Sequence, residues 1–373
     1  MDNRLAENIK RYRLMRGLDQ SQLVSLLAVS RVTYSKIETG RSKPTDDMFY
    51  RIAKVFGISP VLLLENSQPR SNPRFRHKKI RTQQENAFCV QAILDAERKF
   101  ADYEFIEEVA KENCPPSAGF MGLRRTVQNV AEARQFGSEV RKFFFSQGFT
   151  SVRRLGEALE ANGVKYLAFP FPTAAEVGFT LQLPSGHFAI AVNTNISIPG
   201  ERQLFTLCHE VGHMLLHSFD EPTDEISAVE AKHIENEADA FASGLLLPDD
   251  EFEAAWRSSD GVPWFNRVLS VKKIFMVSYK TVLKRLEERS GTNPPPPYRV
   301  WFHQNYRRQF GRSLPAREEA CPSDIRIESS RFIRLARKIF FDGEITMSRL
   351  AEVLGKSILE TRDLVSSWTK EGA

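Results

Sequence analysis

One short run in this sequence has the residue types and spacing for metal chemistry: His209-Glu210-Val211-Gly212-His213. On a helix, residues four apart project from one face, so the two imidazoles can share a single ion. Their neutral nitrogens suit Zn2+, although Mn2+ could replace it where a carboxylate completes the set. Glu210 points about a turn aside, where it can hold the attacking water and accept its proton. With 7 His in 373 residues, the pattern arises by chance on the order of 0.01 times per chain. It lies in an apolar stretch, Leu204-Phe205-Thr206-Leu207-Cys208 before and Met214-Leu215-Leu216 after. Burying two histidines and a glutamate there costs free energy unless they have partners.

Such a site needs a third ligand. His217 lies eight residues beyond His209, about 12 Å along a helix, too far to join both partners on one ion. It remains either a hydrogen-bonding neighbour of the ligands or a residue lining the cleft. The next helical stretch, about 228–246, offers Glu230, His233, Glu235, Glu237 and Asp239. At about 100° per residue, Ile234, Ala238, Phe241, Ala242, Leu245 and Leu246 form an apolar stripe. Glu235 falls within this stripe and Asp239 at its edge. Glu230 and Glu237 are expected to point away, and His233 to be a surface or cap residue. Glu235 is therefore the expected ligand, with Asp239 accepting the far N–H of a ligand histidine.

The first 65 residues show a second pattern, a succession of short helices. Leu5, Ile9 and Tyr12 recur at helical spacing before Gly17, an expected stop, and 20–27 forms a second segment. Ser30 is a good N-cap for a third, which ends at Gly40, and two more follow at 45–56 and 60–65. This is the helix-turn-helix order, in which the third helix enters the major groove of double-stranded DNA. Arg31, Val32, Thr33, Ser35 and Lys36 are expected on its exposed face. Arg31 can donate to guanine and Val32 can pack on a thymine methyl. Gln20, Arg41 and Lys43 are placed for phosphate. One such unit reads a short half-site, so a homodimer on an operator is expected.

Two resemblances follow from these residues. The stretch from Leu18-Asp19-Gln20-Ser21-Gln22-Leu23 through Val29-Ser30-Arg31-Val32-Thr33-Tyr34-Ser35-Lys36-Ile37-Glu38-Thr39-Gly40 resembles the Cro/Xre repressor family. That family usually has Ala and Gly where this chain has Val24 and Ala28. The stretch Arg202 to His217, with Glu235-Asn236-Glu237-Ala238-Asp239 and Leu245-Leu246-Leu247-Pro248, resembles the ImmA/IrrE metallopeptidases. Gly178-Phe179 and Ile190-Ala191-Val192-Asn193 resemble that family's strand region. Cys208 stands where a small residue such as alanine is usual. The second resemblance implies a gluzincin-like endopeptidase whose substrate is a protein such as a helix-turn-helix repressor.

Charge supports a division of labour. Residues 1–81 hold 17 basic and 7 acidic residues, a net of +10, and the remainder 35 and 40, a net of −5. A basic head on an acidic body suits polyanion binding by the head. No apolar run approaches the roughly 18–20 residues that cross a bilayer, and Met1-Asp2-Asn3-Arg4 opens no secretory segment. No membrane partner and a cytoplasmic location are expected. Cys89, Cys114, Cys208 and Cys321 form no CxxC pair, which excludes a cysteine zinc knuckle.

The predicted architecture is mainly α with a small β-sheet (α+β). A five-helix helix-turn-helix domain at 1–66 precedes a basic linker at 67–85, rich in proline and basic residues. An ImmA/IrrE-like zinc metallopeptidase domain follows at 86–292, with strands near 164–169 and 188–192. A helical region at 293–373 closes the chain. Within it Ile345 to Ser357 has helix-turn-helix cadence, as, more weakly, does Lys273 to Leu286. The expected function is a DNA-binding regulator with a zinc endopeptidase domain that cuts a protein. The alternative is an antitoxin-like regulator, paired with a toxin, whose zinc domain senses or binds without proteolysis.

Overall fold

The computed structural model of the protein describes residues 4–15, 18–56, 58, 60–64, 74–75, 83–145, 154–174, 177–183, 185–217, 227–315 and 318–371. Gly17, Pro184 and most of 67–85 lie outside the described residues.

The N-terminal unit consists of α1 (Arg4–Met15), α2 (Gln20–Leu27), α3 (Arg31–Glu38), α4 (Asp46–Phe56) and a 3-10 turn at Pro60–Leu63, where the sequence predicts a fifth α-helix. Asp19 caps α2 through a capping box with Gln22, and Ser30 caps α3 by accepting from the Thr33 amide. Between them Ala28 sits at φ 51°, ψ 48°, the left-handed conformation that glycine adopts without cost.

The next helices are α5 (Gln83–Ala110), α6 (Ala118–Met121), α7 (Val130–Phe144) and α8 (Leu155–Ala161). A four-stranded sheet has the order β1-β3-β4-β2. Its strands are β1 (Arg74–Phe75), β2 (Lys165–Phe169), β3 (Gly178–Gln182) and β4 (Phe188–Asn193). β2 runs parallel to β4, whereas β3 is antiparallel to both β4 and β1. Two residues of the stretch read as linker thus belong to the sheet.

Strand alternation divides the interior in two. Tyr166, Ile190 and Val192 join a core with α7, α9 (Gly200–Leu216) and α10 (Ala228–Leu246). The same core takes in α11 (Asp249–Ser258), α12 (Trp264–Phe275), α13 (Tyr279–Ser290) and α14 (Tyr298–Phe310). Leu167, Phe179, Leu181, Ala189 and Ala191 face a second core. That core is built from α5, the N-terminal helices and α15 (Ser330–Phe341), α16 (Met347–Leu354) and α17 (Ile358–Glu371). A part-buried ion pair, Arg11–Glu97, joins α1 to α5.

α9 and α10 are held firmly. Lys272 of α12 donates to Glu201 in the first turn of α9 at 2.7 Å, both side chains being buried. Arg141 and Arg285 donate to the carbonyls of Leu245 and Leu247 at the C-terminal end of α10, at 3.0 and 2.9 Å. Cations there complement the helix dipole. Gly212 lets α10 approach α9, since a Cβ there would lie 3.0 Å from Phe241 Cδ1. No helix of the described residues is long and apolar enough to cross a membrane.

Candidate metal centre

α9 carries His209, Glu210 and His213, and α10 carries Glu235 and Asp239. Among the described residues, the group whose metal-donor atoms converge is His209, His213 and Glu235, all within 4.8 Å of one another. The two histidine Nε2 atoms are 2.9 Å apart, and Glu235 oxygens lie 3.6 Å from His209 Nε2 and 3.5 Å from His213 Nε2.

The outer nitrogens set the tautomers. Asp239 Oδ1 lies 2.8 Å from His209 Nδ1. A carboxylate only accepts, so Nδ1 carries the hydrogen and Nε2 is left with its lone pair. On the other ligand, His213 Nδ1 is 3.0 Å from His217 Nδ1, and His217 Nε2 is 3.1 Å from Glu237 Oε2. If Glu237 accepts from His217 Nε2–H, His217 Nδ1 must accept from His213 Nδ1–H. His213 Nε2 then presents a lone pair as well. Two lone pairs at 2.9 Å, flanked by a carboxylate, repel each other until a cation lies among them. The donor set therefore fits a divalent ion.

Glu210 is buried, and its Oε2 accepts a 2.7 Å hydrogen bond from Thr180 Oγ1 on β3. The sheet thus orients the carboxylate that the neighbouring turn of α9 presents. Cys208 is fully buried in the apolar core behind α9, and burial pushes its thiol well above the ordinary range. It is not a thiolate competing for an ion.

One expectation for α10 needs correction. Glu237 does not point away from α9: it is buried, and its two oxygens take His217 and, at 3.1 Å, the exposed His233. Burial pushes its carboxyl up, and His233 pulls it down. The single-stripe reading failed because α10 packs on two neighbours, α7 as well as α9, and so buries more than one face. The missed signal was the His217–Glu237 pair itself, a histidine one turn after the second ligand with a carboxylate on the partner helix. Glu230 is exposed, as expected.

In the N-terminal unit, Arg31, Val32, Thr33, Lys36, Arg41 and Lys43 are exposed, Val32 by 65%. Ser35 is half-buried. Gln20 is also half-buried and donates to Glu38, which accepts from Arg13 at 2.6 Å and Tyr34 at 3.2 Å. Its amide is therefore tied inward, which competes with the phosphate contact expected of it. In the C-terminal three-helix unit, Arg331 pairs with Glu107 of α5, and Arg334 and Lys338 with Glu112 just beyond its end at 2.9 and 2.8 Å, so the end of α5 and the residues after it absorb the basic face of α15. In the weaker candidate, Lys273 to Leu286, Arg285 is likewise buried and pairs with Asp249.

Residues 159–287 match the family described as the IrrE N-terminal-like domain, a peptidase family, and residues 9–63 match the family described as helix-turn-helix. No curated protein matches the chain. The chain therefore carries a helix-turn-helix unit followed by an IrrE N-terminal-like domain, and the latter match contains every residue of the metal centre.

Proposed function

We propose that this chain is a DNA-binding regulator whose IrrE-like domain is a metal-dependent endopeptidase acting on a protein, such as a repressor. The observation that carries the peptidase reading is the convergence of His209, His213 and Glu235 donor atoms beside a Glu210 held by Thr180. A divalent ion bound there would supply Lewis-acid activation of water and of the scissile carbonyl. The protein's own residues do the rest. Asp239 and His217 hold the imidazoles in the tautomers that leave Nε2 unprotonated. Thr180 neutralises one lone pair of Glu210 and fixes the rotamer, and Glu210 accepts the proton of the attacking water and passes it to the leaving amine. Burial of these groups strengthens each electrostatic interaction among them.

DNA binding rests on α3. Its first turns are exposed, capped and basic, and they lie in the +10 segment. Arg31 and Val32 are the proposed base readers, with Arg41 and Lys43 on phosphate. Two copies on a two-fold operator would place two such helices in successive major grooves.

The deciding variant is Glu210→Gln. It should keep zinc at wild-type stoichiometry while losing the regulatory effect and the cleavage of the protein substrate. If it regulates as the wild type does, the domain regulates without proteolysis.

A further inference from the structure

The strand that carries Thr180 has an unusual neighbour. On one side β3 pairs with β4 along its length, from Gly178↔Val192 to Gln182↔Phe188. On the other side stand only two described residues, Arg74 opposite Thr180 and Phe75 opposite Phe179, in antiparallel register. They come from the stretch that joins the helix-turn-helix unit to α5. Among the described residues no other segment pairs with this side of β3, and the open backbone groups of an edge strand pair with any extended chain. The position they take lies directly beside the residue that holds Glu210.

We propose that Arg74–Phe75 is an internal stand-in for the extended segment of a protein substrate. While it is paired, that segment is kept from the edge of β3 next to Glu210, and the chain restrains its own peptidase. This rests on the peptidase reading above. Three features carry it. The pairing is made by backbone, so it imitates an extended polypeptide irrespective of side chains. It is antiparallel and centred on Thr180, the point of contact between sheet and catalytic carboxylate. Among the described residues it pairs Arg74 and Phe75 with two of the five residues of β3, and a substrate segment that pairs along the whole of Gly178–Gln182 displaces it. The occupant lies in the chain between the DNA-binding helices and the peptidase domain, so one segment both joins the two units and covers the edge.

The test compares full-length, zinc-loaded wild type with Arg74→Pro/Phe75→Pro, which removes two backbone donors. The probe is a pool of quenched-fluorescence decapeptides of mixed sequence. If β1 occupies the edge nine-tenths of the time, the variant's KM should fall about tenfold with kcat unchanged. A synthetic peptide with the sequence of residues 71–78 should raise KM again, for the variant and the wild type. The same peptide with proline at positions 74 and 75 should not. An unchanged or higher KM in a variant that retains zinc overturns the inference and leaves the peptidase reading intact. Should the variant fail to fold, absence of competitive inhibition of the wild type by the 71–78 peptide overturns it equally. Absence of Glu210-dependent cleavage in either protein overturns both readings.

Discussion

At the scale of single residues, each imidazole of the candidate metal centre is aimed by a carboxylate of α10, directly by Asp239 and through His217 by Glu237. Asp239→Ala and Glu237→Ala should therefore each weaken zinc binding by roughly 10–100-fold, read by competition with a chromophoric chelator. His209→Ala should abolish binding. A Glu237→Ala protein with wild-type zinc affinity would reduce Glu237 to a packing residue. The convergence of His209, His213 and Glu235, with Asp239 beside His209, was legible because spacing and helical phase are local properties. Glu237 was not, because its partner lies twenty residues away on another helix, and no phase argument includes the second neighbour of α10. Ala28 makes a separate prediction. Its left-handed backbone costs about 1–2 kcal/mol for a residue with a Cβ. Ala28→Gly should raise the stability of the N-terminal unit by about 0.5–1 kcal/mol, after the entropy cost of glycine. Chemical denaturation followed in that unit checks the sign.

At the scale of elements, the site depends on how closely helices pass. α10 is pressed against α7 at Gly244, where a Cβ would fall inside van der Waals contact with the Arg134 carbonyl oxygen. Gly244→Ala must push the two helix backbones apart, so it should destabilise the domain by about 1–3 kcal/mol and weaken zinc binding through displaced α10. A melting temperature equal to that of the wild type would show that the helices can separate freely. The helices were readable from period, caps and prolines. β1 was not, because two residues in a basic, proline-flanked stretch show no alternation, and their partner β3 lies far along the chain. Near 345–357, where the sequence has helix-turn-helix cadence, Thr346 caps α16 and Gly355 closes it at φ 64°. The preceding helix α15 turns its basic residues to Glu107 of α5 and to Glu112 just beyond it, pairs that the local sequence does not show.

At the scale of the whole molecule, the sheet separates a core behind the metal centre from one shared by the N-terminal helices, α5 and the C-terminal helices. Glu160 sits at the seam, accepting from Tyr103 at 3.3 Å and from the Arg331 amide at 3.2 Å. Burial raises its carboxyl to about 7, against the pull of these donors. The folded chain therefore holds this proton more tightly than the unfolded chain does. The group's contribution to stability grows as pH falls from about 7 toward the ordinary 4.5, and is lost as pH rises through 7. Glu160→Gln should flatten that dependence and raise the melting temperature above pH 7 by roughly 2 °C, as calorimetry across pH 5–8 would show. The basic head makes the remaining prediction. Arg31→Ala with Lys36→Ala should abolish operator binding, whereas Lys43→Ala should weaken all DNA equally and lower the salt slope by about 1. Unchanged operator binding by the double variant would move recognition off α3.

What the sequence determined alone was local in origin: the HExxH spacing, the Ser30 cap of α3, the helical phase of Glu235, and the uneven charge. Each depends on residues within a few turns of one another, where backbone geometry fixes what side chains can reach. The tertiary structure decided the rest. It placed Thr180 on Glu210, Glu237 behind His217, Glu107 and Glu112 against α15, and Arg74–Phe75 beside β3. These are contacts between elements remote in the chain, and only the packing of one face against another chooses them.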